Sequence, residues 1–222
     1  MGYFRLDMEF ALINGTSTKF YINEMTQNAI VNRLPIDSKQ GELDIQIIDG
    51  ELNGVVIDTI SFCKFLNSTS YTQLDPSEYR GAIASLCYRL IHIRPLNGRS
   101  IPSQLDNLCH LALLAYMTVL LPEFNKTWAW FDLISKQLGE AKRNTSDTEI
   151  TTSSLYLCCL FVGGISVFDE GDDWWLKQFV ANSCQHLGRL QWEDICAVLG
   201  ELFWIHIIHD KHGKLLWNRI QS

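Results

Sequence analysis

The chain has 222 residues, of which 47% are hydrophobic and 19% are charged. This composition excludes intrinsic disorder for most of the chain, and the length is enough to bury a substantial core. Lys and Arg number 18 and Asp and Glu number 25, which gives a net charge of −7. Because no run of basic residues could follow a phosphate backbone, we expect no direct nucleic-acid binding by this chain.

Three features of the sequence bear on its compartment. The seven cysteines form no C-x-x-C pair and their number is odd, which favours a reducing environment. The first ten residues carry Arg5, Asp7 and Glu9 in place of an apolar signal core, so we expect a protein that is not secreted. The most apolar runs, residues 108–121 and 155–168, fall short of the roughly 18 residues that cross a bilayer. They predict buried central helices and no membrane span.

In chain order, apolar spacing predicts helices almost throughout. The predicted helices cover residues 3–14, 20–33, 55–66, 75–93, 100–121, 146–161, a segment that begins at Asp172 and Asp173, and a last long helix with an apolar stripe over residues 195–206. The strongest start is the capping box Asp75-Pro76-Ser77-Glu78, and Ser146 with Glu149 predicts a second. Gly15 is placed to end the first helix.

The pattern contains little that favours β structure. The β-branched stretch 45–48 is the only candidate strand and has no partner. It lies in a polar segment, residues 38–54, whose start predicts loop or weakly ordered helix. We therefore predict an all-α fold, a single irregular multi-helix bundle with buried central helices. One domain is expected over residues 1–222, with the polar stretch 142–153 joining its two halves.

Two clusters suggest metal binding. His206, His209 and His212 resemble a metal triad, but they lack an H-E-x-x-H pattern. The alternative is that His206 extends the apolar stripe and the other two lie near a helix end at residues 210–213, where cations are favoured.

An acidic loop is the second cluster. Asp169, Asp172 and Asp173 suggest magnesium, although their order differs from the D-D-x-x-D pattern of helical terpene cyclases. The alternative is an acidic lead into a helix N-terminus. We predict no metal site and no cofactor from either cluster.

The sequence shows no catalytic constellation: no G-x-S-x-G elbow, Walker loop or G-x-G-x-x-G is present. Cys109 and His110 are adjacent on a helix, and therefore point too far apart to pair as nucleophile and base. The seven tryptophans cluster in the second half of the chain. They predict core packing, and a pocket for a small apolar ligand stays open as an alternative.

A set of ordered motifs resembles a known family. Residues 3–7 (Tyr-Phe-Arg-Leu-Asp) and Asn14-Gly15-Thr16 are followed by the remaining motifs in family order: residues 111–116, 161–164, Trp174, Trp192-Glu193, Phe203-Trp204 and Leu216-Trp217. Together they are similar to the carboxyl-terminal regulatory (middle homology) region of fungal zinc-cluster transcription regulators. The resemblance covers nearly the whole chain.

The resemblance implies an all-helical regulatory domain without catalytic residues, in a nuclear regulator that often serves a biosynthetic or nutrient pathway. The family's DNA-binding module, which holds two zinc ions with six closely spaced cysteines, has no counterpart here. The family's region also usually extends further upstream, so we expect a chain that begins inside the region or a stand-alone relative.

Two functions follow. The first is a regulatory domain, nuclear or cytoplasmic, that binds protein partners in transcription regulation or senses a small apolar metabolite. The alternative is a small helical enzyme or carrier that acts on an apolar metabolite.

Overall fold

The computed structural model describes residues 2–19, 48, 50–68, 75–99, 101–120, 131–145, 151, 153–167, 173–188 and 191–221, with the backbone alone for residues 2–5 and 173–175. These residues form nine α-helices and no strand, which confirms the all-α prediction. The helices are α1 (Gly2–Asn14), α2 (Gly50–Asn67), α3 (Pro76–Ile93), α4 (Gln104–Leu120), α5 (Asp132–Asn144), α6 (Ser154–Ser166), α7 (Asp173–His186), α8 (Trp192–Gly200) and α9 (His206–Gln221).

Helices α4 and α6 lie at the centre and pack extensively against each other. Residues 155–164 of α6 are all buried, as are nearly all residues of α4 from Leu105 to Leu120. Such uniformly apolar helices have no polar face to turn toward water, so other helices must cover them on every side. The prediction of buried central helices is confirmed, and no helix among the described residues is long and apolar enough to span a membrane.

The predicted capping box of α3 is present. The Asp75 side chain accepts a hydrogen bond from the Ser77 backbone N–H at 2.7 Å, and the Glu78 side chain accepts one from the Asp75 backbone N–H. Helix α3 ends at Ile93, immediately before Arg94 and Pro95. A proline without a donor N–H cannot continue a helix, so the sequence defined both ends of α3.

Two helix predictions in the middle of the chain need correction. Helix α5 was not predicted. Its last residues, including the buried Lys142, lie in the polar stretch 142–153 that we expected to connect the two halves of the domain. Helix α6 begins after Ser153, whose side chain accepts from the Tyr156 backbone N–H at 3.1 Å, and continues beyond Phe161 to Ser166. In this added turn Gly164 lets α9 pack closely against α6, because a Cβ there would lie 2.5 Å from a methyl carbon of Leu216 on α9.

Other predictions lie outside the described residues. They are the helix over residues 20–33, the capping box of Ser146 and Glu149, and most of the segment 38–49. Residues 50–54, which precede the predicted helix 55–66, form the first turn of α2.

The prediction of one long final helix is also wrong. The apolar stripe does not belong to one helix, because α8 ends at Gly200 and α9 begins at His206. The connection is nevertheless buried as the stripe predicted: Leu202, Phe203, Trp204 and Ile205 are at most 3% exposed. The expected helix end at residues 210–213 is wrong as well. Gly213 lies inside α9 and is a packing position, where a Cβ would lie 2.7 Å from ring atoms of both Trp192 and Trp204.

Candidate functional site

The junction between α8 and α9 brings together several polar side chains, among them Cys196, His206, His209 and Asp210. Helix α8 closes with a tightened turn, in which the Glu201 backbone N–H donates to the Val198 carbonyl at 3.3 Å and the Leu202 backbone N–H donates to the Leu199 carbonyl at 3.0 Å. The Glu201 carboxylate accepts from Lys64 Nζ of α2 at 2.9 Å. The turn is therefore held from outside the two helices that it connects.

His209 fixes where α9 begins. Its Nδ1 accepts a hydrogen bond from the Ile205 backbone N–H at 2.9 Å, which satisfies one of the donors left over at a helix start. The imidazole is fully buried, with ring centroids 5.1 Å from Tyr116 and 5.0 Å from Trp204. Burial lowers the pKa of His209 to about 3, so the ring is neutral at physiological pH.

The three histidines that resemble a metal triad in the sequence do not come together in the structure. His209 packs in the core, whereas His206 and His212 are exposed. His206 does not extend the apolar stripe, and His209 and His212 occupy the early turns of α9 rather than a helix end. The reason is helix geometry: all three histidines lie on α9, where each residue turns the helix by about 100°, so His206 and His212 point about 120° apart.

A different cluster forms at the same junction, from Cys196 of α8 and from His206 and Asp210 of α9. Cys196 Sγ lies 3.5 Å from His206 Nδ1 and 3.3 Å from Asp210 Oδ1. The third side of the triangle, from His206 Nδ1 to Asp210 Oδ1, is 3.1 Å. These are the only three His, Cys, Asp or Glu residues in the described part of the chain whose ligand atoms group in this way.

Neighbouring side chains hold the cluster in place. Trp204 Nε1 donates to Asp210 Oδ1 at 2.8 Å. Asn67 of α2 accepts from the His206 backbone N–H at 2.9 Å and donates to the Trp204 carbonyl at 2.8 Å. Gly200 leaves space for the imidazole of His206, because a Cβ at Gly200 would lie 2.8 Å from Nε2.

The electrostatics of the cluster disfavour nucleophilic catalysis by the metal-free thiol. Burial, the hydrogen bond to Asp210 and the nearby acidic charges raise the pKa of Cys196 to about 12, so the thiol stays protonated. Partial burial raises the pKa of Asp210, but hydrogen bonds from Trp204, His206 and Cys196 outweigh it and hold that pKa below 3.8. Cys196 and Asp210 also face the same His206 nitrogen, whereas a base in a catalytic triad uses both.

The structure describes the remaining sequence candidates only in part. Asp169 and Asp172 lie outside the described residues, and only the backbone of Asp173 is described, at the start of α7. Trp192, Trp204 and Trp217 are buried in the core, as predicted for the tryptophans. His110 is a buried core residue, with Nε2 2.9 Å from the Leu90 carbonyl.

A second surface feature lies on α1. Leu6, Phe10 and Ile13 are 61%, 53% and 40% exposed, and their spacing of four and three residues places them on one face of the helix. We call these three residues the α1 stripe. Such a row of large apolar side chains on a helix is the pattern that inserts into a groove of a partner protein.

The α1 stripe is presented by a firmly held helix. The opposite face buries Met8, Ala11 and Leu12. Asp7 accepts a hydrogen bond from the Tyr88 hydroxyl of α3 at 3.1 Å and from the Lys19 backbone N–H at 2.9 Å. Lys19 Nζ lies 5.8 Å from the ring centroid of Phe10, so a positive charge borders the stripe.

Neither the α1 stripe nor the cluster of Cys196, His206 and Asp210 was predicted from the sequence. The spacing of Leu6, Phe10 and Ile13 is visible in the sequence, but acidic Asp7 and Glu9 stand on the face that is actually buried. His206 and Asp210 are four residues apart, a detectable pairing on one helix. Cys196 could not have been added to them, because its position depends on the break at Gly200.

Comparison with protein-family models, with curated proteins and with solved structures finds no match to this chain.

Proposed function

We propose that this chain is the regulatory domain of a fungal transcription regulator, acts in the nucleus and binds a protein partner through the α1 stripe. The observation that carries the proposal is the row Leu6, Phe10 and Ile13, exposed on a helix whose other face is fixed to the core. The ordered motifs that resemble the middle homology region support the transcriptional setting. DNA binding would come from a partner or from a further amino-terminal segment, because this sequence has no run of basic residues that could follow a phosphate backbone.

The partner we propose is a protein with an apolar groove bordered by acidic residues. Burying the three side chains of the α1 stripe would remove a large apolar area from water, which favours association. The ammonium group of Lys19 beside Phe10 complements an acidic rim, which contributes orientation and association rate more than affinity.

The enzyme or carrier alternative receives less support. Its motivation was convergence of the tryptophan-rich half with the acidic loop and the histidines. Three of the tryptophans instead fill the core, and His209 is buried away from His206 and His212. The sensing of a small apolar ligand by the same domain stays a prediction.

The test is a tethering assay. The chain is fused to an unrelated DNA-binding domain in a fungal reporter strain, and reporter transcription is measured against the DNA-binding domain alone. We expect the fusion to raise or lower transcription several-fold. We expect the double substitution Leu6→Glu/Phe10→Glu to return transcription to the baseline, because charged side chains cannot enter an apolar groove.

The matched control is Ile207→Glu on α9, since Ile207 is 75% exposed and stands apart from the stripe. This variant should behave as the unsubstituted fusion. The proposal is wrong if the unsubstituted fusion leaves transcription at the baseline, or if the Ile207 variant loses as much effect as the stripe variant at equal protein level.

A further inference from the structure

The cluster at the α8–α9 junction carries an inference that does not depend on the partner-binding role. We propose that Cys196, His206 and Asp210 form a zinc-binding site. The three ligand atoms would be Cys196 Sγ, His206 Nδ1 and Asp210 Oδ1.

The spacing of these atoms fits a tetrahedral ion. Zinc bonds of about 2.0–2.3 Å place neighbouring tetrahedral ligand atoms about 3.3–3.6 Å apart. The observed separations are 3.5 Å, 3.3 Å and 3.1 Å. All three sides of the triangle are therefore close to the edges of a zinc tetrahedron, and a small outward movement of His206 or Asp210 completes the fit.

The donor set selects the metal. One thiolate, one imidazole and one carboxylate form a mixed S, N, O set that suits Zn²⁺ and does not suit Mg²⁺ or Ca²⁺, which prefer oxygen alone. With the imidazole neutral, the thiolate and carboxylate balance the charge of a divalent ion. On coordination the Cys196 sulfur gives its proton to solvent and forms the S–Zn bond.

The surroundings provide the outer contacts that metal sites require. Asp210 Oδ1 accepts from Trp204 Nε1 at 2.8 Å, which orients the carboxylate, and Asn67 holds the backbone of His206. Residues in such roles support the geometry of the ligands themselves. The side chains of His206 and Asp210 are 44% and 39% exposed, so the fourth position of the ion faces water.

A metal at this place would join the carboxyl-terminal part of α8 to the first turn of α9. This is the break in the chain that the sequence did not predict. A bound ion adds its binding free energy to the folded state alone, so zinc would raise the stability of the junction.

The experiment is zinc titration of the purified chain, followed by competition with a chromogenic chelator. We expect saturation at one ion per chain. Cys196→Ser, His206→Gln and Asp210→Asn should each weaken zinc binding by at least about 100-fold, the upper end of the cost of losing even an outer contact. Asp210→Asn keeps an oxygen acceptor for Trp204, which limits its effect on folding. Circular dichroism of each variant without metal verifies that it is folded.

The control is His212→Gln, which replaces an exposed histidine on the same helix and should leave zinc affinity unchanged. Cobalt provides a second measurement, because a thiolate–cobalt bond gives a charge-transfer band that Cys196→Ser should remove. Two results would overturn the proposal: no saturable zinc binding by the unsubstituted chain, or binding that persists in all three ligand variants. The latter would mean that other thiols or surface groups take up the metal.

Discussion

The central pair α4–α6 and the carboxyl-terminal pair α8–α9 lie in the same core but are built in different ways. Helices α4 and α6 are apolar around nearly their whole circumference. Their sequence therefore predicts that other helices cover them, without saying which ones. Helix α8 has only nine residues, and a connection of five residues, four of them buried, separates it from α9. Their arrangement depends on individual residues, above all Gly200, His209 and Gly213.

This difference shows that composition is sufficient to predict the burial of α4 and α6 but not the arrangement of α8 and α9. A helix that is apolar on all sides has one possible environment, so burial follows from the sequence alone. In the α8–α9 pair, a glycine ends one helix while another permits close packing, and a histidine caps a helix from inside the core. The first three of the four predictions below test this contrast, and the fourth tests the α1 stripe; they run from the largest expected effect to the smallest.

Acid should destabilise both regions through one buried histidine in each. Burial lowers the pKa of His110 on α4 to about 4 and that of His209 on α9 to about 3, whereas an unfolded histidine titrates near 6.5. Below pH 6.5 the unfolded chain therefore binds protons that the folded chain does not. The free energy of unfolding should fall as the pH drops from 6.5 toward 4, with a slope that approaches about 2.8 kcal/mol per pH unit for the two groups.

Urea unfolding at a series of pH values measures this slope. His209→Gln should reduce it by about half, because one of the two titrating groups is lost, whereas His212→Gln should leave it unchanged. A free energy of unfolding that is constant between pH 6.5 and 5 would contradict the assignment of both histidines as buried and neutral.

Truncation of a central leucine tests the core itself. Leu113 on α4 is completely buried, so Leu113→Ala should lower the free energy of unfolding by about 2–5 kcal/mol through lost transfer energy and a cavity. Leu202→Ala should cost a similar amount, although Leu202 lies in the connection between α8 and α9 and is 3% exposed. Chemical denaturation compares the two, and a cost below 1 kcal/mol for Leu202→Ala would mean that the connection is not part of the core.

A pair of glycine substitutions separates packing from helix propensity. Gly213→Ala should destabilise the protein by about 1–3 kcal/mol, because the added Cβ would lie 2.7 Å from two rigid indole rings. Gly81 lies within α3 with no atom within 4 Å of an added Cβ. Gly81→Ala should therefore stabilise by about 0.5–1 kcal/mol through helix propensity alone. Thermal melting with the same sign of shift for both variants would refute the packing role of Gly213.

The start of α3 and the position of Gly213 show why part of the fold could be predicted from the sequence and part could not. Capping at Asp75 depends on residues within one turn, so the start of α3 was readable from the sequence. Gly213 follows Asp210, Lys211 and His212, and locally this reads as a helix end. Only the indoles of Trp192 and Trp204, brought there by packing, reveal that it is a contact point.

The two candidate sites also depend on contacts between residues that are distant in the sequence. The α1 stripe repeats at helical spacing, and its residues could be grouped from sequence, but which face is exposed depends on contacts with α3 and α5. The Cys196, His206 and Asp210 cluster joins two helices across an unpredicted turn, so no spacing rule could have assembled it.

The central claim is that the α1 stripe is a free surface that binds a protein. The substitution with the smallest expected change in stability, Phe10→Glu, tests this claim most directly. Phe10→Glu is made in the full chain, and its free energy of unfolding and its effect in the tethering assay are both measured. We predict a change in stability of at most about 0.5 kcal/mol, as for other exposed positions, together with loss of the transcriptional effect. A destabilisation of 2 kcal/mol or more, or an unchanged transcriptional effect, would contradict the claim.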